Sequence, residues 1–167
     1  MHVQTINQSL DKSLEPYFNI RDSTLACRDN LFVVEGRQNV CRLIEKSSFR
    51  IHSLCVTPTA YDALEGSLSL LDTATPVYRV SQETLRRVAG FSIHRGCLAL
   101  GYRSAKIPQL EFLENLDRKP SRLLILEQVS DPQNIGALFR NARAFGVDAV
   151  ILCPRTSDPL YRKAIRV

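Results

Sequence analysis

The chain has 167 residues, 44% hydrophobic and 23% charged, with 22 Lys and Arg against 17 Asp and Glu, a net charge of +5 and a pI near 9.1. That length holds one good-sized domain, or a small domain and part of another, and the basic excess favours a polyanionic partner. Five scattered cysteines (27, 41, 55, 97 and 153) without a C-x-x-C pair argue against a disulfide framework or a metal site, and no signal-like stretch or apolar run near ~20 residues is present, so a cytoplasmic protein is expected.

Residues 1 to about 30 are polar, with Leu10, Leu14 and Tyr17 spaced by turns and Pro16 interrupting, which predicts an irregular arm with a short helix. Residues 31–34 (LFVV) read as a buried strand, and Glu35-Gly36 opens a helix whose inner stripe is Val40, Leu43 and Ile44. Residues 49–56 predict the next strand. Thr57-Pro58 then supplies an N-cap and a first-turn proline for a helix through about Leu64, which Gly66 breaks. A strand at 76–80, a helix capped by Ser81 and stopped by Gly90, a turn at 91–96 and a strand at 97–102 follow.

This alternation predicts an α/β domain over residues 1–103 with a mostly parallel sheet. Arg79, Arg86, Arg87, His94, Arg95 and Arg103 gather in its carboxyl half and predict one basic face able to contact phosphates. His94-Arg95-Gly96 is its most pointed part, a turn joining an imidazole, a cation and a flexible backbone. Residues 104–121, with Pro108 and Pro120 around a short helical pattern of Leu110, Leu113 and Leu116, read as a linker.

Residues 123–126 (LLIL), continued to Val129, predict a strand buried on both faces of a parallel sheet. Ser130, Asp131 and Pro132 turn the chain into a helix with Ile135, Leu138, Phe139, Ala142 and Phe145 on its inner stripe. Gly146 ends that helix, and residues 147–152 resume as a strand. At about 100° per residue, Gly136, Arg140 and Arg143 share the opposite face, uncommitted to the sheet. A loop at 153–157 precedes a helix from Asp158-Pro159 carrying Leu160, Ala164 and Val167. One strand–helix–strand unit is a poor independent core, so residues 122–167 are expected to be the first part of a longer domain.

Asp131, Pro132, Asn134, Gly136, Arg140 and Ala142, spaced D-P-x-N-x-G-x-x-x-R-x-A and followed by GVDAVIL, resemble the first signature motif of the SpoU (TrmH) family of RNA ribose 2′-O-methyltransferases. The absence of G-x-G-x-x-G argues against a dinucleotide cradle. FVVEGR at 32–37 is similar to the opening of the substrate-binding domain that precedes the methyltransferase domain in many members. The resemblance implies an N-terminal ribosomal-protein-like α/β domain over 1–103. Over 122–167 it implies the first half of a parallel-sheet SPOUT domain, knotted and Rossmann-like, truncated before the knot because the family's two later motifs are absent. It also implies S-adenosylmethionine as cofactor, rRNA or tRNA as partner, a homodimer, and Arg140 as the catalytic residue. No cofactor contact carries over to these residues beyond support from Asn134, so this chain by itself is expected to be an incomplete form that binds RNA without transferring a methyl group.

Methylating a ribose 2′-hydroxyl requires a weak oxygen nucleophile to attack a sulfonium methyl in line, so a site must supply near-attack geometry and stabilise a developing alkoxide. Arg140 suits the second task through its forked donors, and a guanidinium holds its proton too firmly for literal base action. Asp131, Asn134 and Gly136 support the motif, with Asn134 expected to bond the preceding loop and Gly136 to admit RNA or a second subunit. Arg143 is read as a surface residue or a phosphate contact. A non-catalytic RNA-binding protein, or an interaction module without nucleic acid, are the alternatives.

Overall fold

In the computed structural model, residues 1–8, 11–91, 93, 95–104 and 121–167 are described. The chain divides into two units, one comprising Met1–Arg103 with Arg166, the other Ser104–Ile165 with Val167. The expected linker helix with Leu110, Leu113 and Leu116, and His94, lie outside the described residues.

The first unit is built on strands β1 (His2–Thr5), β2 (Leu31–Glu35), β3 (Ile51–Val56), β4 (Pro76–Arg79) and β5 (Cys97–Tyr102), in the order β1-β4-β3-β5-β2. β1, β4 and β3 pair in parallel, and β5 runs antiparallel to both β3 and β2, so four of the five strands share one direction. Helices α1 (Arg37–Lys46), α2 (Pro58–Leu68) and α3 (Gln82–Ala89) follow β2, β3 and β4. Their starts obey the expected cap chemistry. Thr57 Oγ1 accepts from Ala60 N–H at 3.3 Å and Ser81 Oγ from Thr84 N–H at 3.0 Å, each cap worth about 1 kcal/mol.

Alternation along the strands splits the core between two faces. Leu31, Val33, Cys55, Leu98 and Leu100 join Leu85, Val88, Leu14 and Tyr17 in one cluster, where Tyr17 Oη is satisfied by Ser53 Oγ at 2.7 Å. Phe32, Val34, Leu54 and Val56, equally buried, point to the other side, where α1 and α2 pack on each other.

Two expectations for this unit are corrected. The polar amino end contains a real strand: β1 is exposed at every position and is held by backbone pairing with β4, so it leaves no hydrophobic signal. Downstream of it, a 3-10 helix at Lys12–Tyr17 tolerates Pro16 and buries Leu14 and Tyr17. Gly66 does not break α2, because Ser67 and Leu68 are buried beyond it and their packing outweighs the roughly 1 kcal/mol glycine penalty.

In the second unit β6 (Leu123–Leu126) pairs in parallel with β7 (Ala149–Leu152), and α4 (Pro132–Ala144) connects them. Ile135, Leu126 and Ala164 centre its core, with Leu124, Leu138, Phe139, Val150 and Leu152 around them. The expected burial of β6 on both faces is corrected: Leu123 is 41% and Ile125 67% exposed, because they alternate away from the face that α4 covers. Phe145, expected on the inner stripe, is 74% exposed. It is the helix C-cap, with φ −88° and ψ 5°, and is no longer on the helical spiral. Gly146, at φ +65°, closes the end as a Schellman turn: Val147 N–H donates to the Ala142 carbonyl at 2.9 Å and Gly146 N–H to Arg143 at 3.3 Å. The last helix, α5 (Arg162–Arg166), begins later than expected, since Asp158 accepts from Leu160 N–H at 2.8 Å in a turn before it. No helix among the described residues is long and apolar enough to cross a membrane.

Candidate functional site

The motif lies where β6 and β7 end, the edge at which parallel α/β sheets hold ligands. The chain leaves β6 through Gln128, whose φ of +54° is uncommon for a residue with a side chain. The loop following β7 holds it there. Gln128 N–H donates to Cys153 Sγ at 3.1 Å, Ser157 N–H donates to the Val129 carbonyl at 2.8 Å, and Cys153 N–H and Thr156 Oγ1 donate to the Leu126 carbonyl at 3.1 and 2.9 Å. Thr156 and the Gln128 N–H together lower the Cys153 thiol below its ordinary range. Nothing in the spacing of the sequence pointed to Cys153, since the contact depends on two loops meeting.

α4 starts from that braced loop. The Asp131 carboxylate accepts from Gln133 N–H at 2.7 Å, and Pro132 fills the first turn, where its missing N–H costs nothing. The Asn134 side chain is exposed and has no hydrogen bond among the described residues, so the expected tie from its amide to the loop is corrected. Asp131 and the 153–157 loop provide that tie instead.

Gly136, Arg140 and Arg143 share a face by helical geometry, but that face is not wholly uncommitted. Gly136 is buried: α5 lies against it so closely that a Cβ there would overlap the Ala164 carbonyl oxygen and sit 3.1 Å from Val167 Cβ. Its role as an opening for RNA or a second subunit is therefore corrected, because its own chain occupies the space. A turn further on, Arg140 is exposed, donates from Nη1 to the Val167 carbonyl, and forms no ion pair among the described residues. Arg143 is exposed in the last turn, where a cation complements the helix dipole.

The cations of the first unit do not form the single face expected. Arg95 stands where β5 begins, and Arg103 follows its far end, so a full strand separates them. Arg86 and Arg87 lie in the last turn of α3, a helix length away from its start. Arg79 is half-buried, with its guanidinium 4.8 Å from the Tyr61 ring centroid and its Nε buried without a hydrogen bond.

Comparison with known proteins places this geometry. The sequence profile of the SpoU rRNA Methylase family matches residues 121–167. An uncharacterised tRNA/rRNA methyltransferase of Mycobacterium bovis is 34% identical over 137 residues, covering 82% of this chain and 45% of the relative. A 23S rRNA (guanosine-2′-O-)-methyltransferase, RlmB, of Haemophilus ducreyi is 39% identical over 92 residues, 54% of this chain and 37% of the relative. The chain thus spans about half the length or less of these curated relatives. In fold, it is similar to an rRNA methyltransferase from Sinorhizobium meliloti at a TM-score of 0.75 and 16% identity, over 99% of this chain and 61% of that one. A second structure of that enzyme, with AdoMet bound, gives 0.76 at 15% identity, over 98% and 59%.

Proposed function

Given that the chain belongs to the SpoU family of RNA methylases, we propose that the protein methylates the 2′-hydroxyl of a ribose in rRNA or tRNA, with S-adenosylmethionine as methyl donor. The observation that carries this reading is the capped helix α4. It presents the motif's arginine, Arg140, exposed and without an Asp or Glu partner among the described residues.

Arg140 would hold the phosphate beside the target ribose and stabilise the oxygen as charge develops on it, an electrostatic role that a fixed, forked cation performs without moving. Asp131 holds the amino end of α4, and Gly136 fixes α5 against it; both support the position of Arg140. Arg143, on the same face, takes a neighbouring phosphate.

S-adenosylmethionine supplies an electrophilic methyl group. On this reading residues 1–103 form the RNA-binding part and 122–167 belong to the methyltransferase part, acting in the cytoplasm as a homodimer.

The test is incubation with bulk rRNA and tRNA and methyl-labelled S-adenosylmethionine, followed by digestion to nucleosides. Label on ribose 2′-oxygen supports the proposal, and label on a base contradicts it. RNA binding without transfer by the protein in any form favours the non-catalytic binding protein.

A further inference from the structure

The carboxyl edge of the five-stranded sheet carries a second feature, remote in sequence from the motif. β2, β3 and β4 end there and β5 begins there, so α1, α2 and α3 all start at this edge. Between them is a cleft of about 370 Å³ lined by Arg37, Thr57, Thr59, Gln82, Arg95 and Gly96. At ~30 Å³ per water this has room for on the order of ten waters, ample for a phosphate with part of its sugars.

The cleft is built rather than incidental. Gly96, at φ +63°, lets its carbonyl accept from Thr57 N–H at 2.8 Å, where a Cβ would press to 2.5 Å from Thr57 Oγ1. Gln82 Nε2 donates to the Ile93 carbonyl at 2.7 Å, and Gly36 N–H to the Cys97 carbonyl at 3.2 Å, so the turn carrying Arg95 is pinned on both sides. The aliphatic stem of Arg95 then runs beside Gly36, 3.8 Å from where its Cβ would be. Gly36 is the N-cap of α1 and offers no side-chain cap, so the start of that ten-residue helix, whose first residue Arg37 lines the cleft, has no side-chain acceptor for its N–H groups.

The donors here lack an acceptor. Arg37 and Arg95 form no ion pair among the described residues, and no Asp or Glu lines the cleft. Thr57, only 7% exposed, uses its hydroxyl oxygen to accept from Ala60, while its hydroxyl proton has no acceptor among the described residues. Two guanidinium groups, a buried hydroxyl proton and an uncapped helix start all call for the same thing: a compact oxyanion.

We propose that this cleft is a phosphate subsite, in which Arg37 and Arg95 share one backbone phosphate of the RNA substrate and Thr57 donates to it. The identity of the ligand as RNA rests on the functional reading above, whereas the oxyanion chemistry does not. Holding a phosphate here anchors the RNA on the first unit independently of the nucleotide that is modified.

The experiment measures binding of a labelled mixed-sequence RNA oligonucleotide to the full chain across a salt series. Arg37→Gln and Arg95→Gln, both at exposed positions, should each weaken binding about tenfold and flatten the log–log salt slope by about one. In the double variant the slope should fall by about one in total, since both cations serve the same phosphate. Arg42→Gln, an exposed cation on another side of α1, should change neither quantity. In the nitrogen–proton spectrum inorganic phosphate should shift the Arg37 and Gly96 amides of the wild type and leave those of the double variant still. A slope loss of two in the double variant overturns the shared phosphate, and equal effects of Arg42→Gln overturn the site in favour of diffuse charge. Amide shifts with inorganic phosphate, combined with RNA binding indifferent to both variants, would make this a small-phosphate pocket and overturn the RNA assignment. A wild-type chain that binds phosphate but no RNA contradicts the functional reading as well, which keeps the two failures apart.

Discussion

Arg140 has the chemistry that the proposed reaction needs: a permanent charge, a planar fork of donors, and no competing Asp or Glu among the described residues. Replacing it with lysine keeps the charge and removes the fork. If the fork stabilises the oxygen, Arg140→Lys should slow methyl transfer on the order of 10²-fold, comparable to losing a preorganised oxyanion donor, while RNA affinity changes little. Single-turnover transfer alongside RNA binding checks this, and a variant that loses affinity and rate in equal measure would make Arg140 a binding residue only. Cys153 gives a second residue-level prediction. Its contacts with Thr156 and the Gln128 N–H lower the Cys153 thiol, whereas burial pushes Cys55 and Cys97 up to about 12. Iodoacetamide at neutral pH should therefore label Cys153 ahead of both. Mass-spectrometric mapping that finds Cys55 labelled first would contradict the packing of β3.

Gly136 shows how an element can be read correctly and its environment missed. The spacing of Ile135, Leu138, Phe139 and Ala142 was enough to place α4, and Asp131 and Pro132 were enough to place its start, because caps and periodicity are local chemistry. The same local view made Gly136 a bare patch for a ligand. It is instead the point where α5 presses its Ala164 carbonyl onto the helix, a contact set by residues 28 positions away. Strand β1 escaped for a related reason: pairing through the backbone alone leaves no pattern in side chains. The cleft beside Arg95 was half visible, as a turn with a cation, but Arg37 and Thr57 reach it only because the sheet order brings three helix starts to one edge. Gly136→Ala discriminates between the two readings of that glycine. Alanine gains up to about 1 kcal/mol in helix propensity, and overlap with the Ala164 backbone costs about 1–3 kcal/mol, so net destabilisation is expected in urea unfolding. Increased stability would mean that α5 does not pack there.

At the scale of the molecule, stability should depend on pH in a direction set by the buried thiols. Cys55 and Cys97 keep their protons in the folded state up to about 12, while unfolded thiols ionise near pH ~8.5. Between those limits the unfolded chain binds fewer protons, so stability falls as pH rises, by up to about 1.4 kcal/mol per pH unit for each thiol. Tyr17, raised well above its ordinary value by burial, adds to the fall above pH ~10. Urea unfolding of the first unit from neutral to alkaline pH checks this, and a flat profile would contradict the burial of these groups.

The central claim, that residues 131–142 bring RNA ribose chemistry to this fold through Arg140, is tested most directly by methyl transfer from labelled S-adenosylmethionine to RNA. Wild type and Arg140→Ala would be compared, with the product read by resistance of the modified linkage to alkaline cleavage. A labelled, alkali-resistant linkage that disappears in Arg140→Ala, with RNA binding kept within about threefold, is the predicted result. Transfer by Arg140→Ala at the wild-type rate, or a labelled product that alkali cleaves like unmodified RNA, would contradict it.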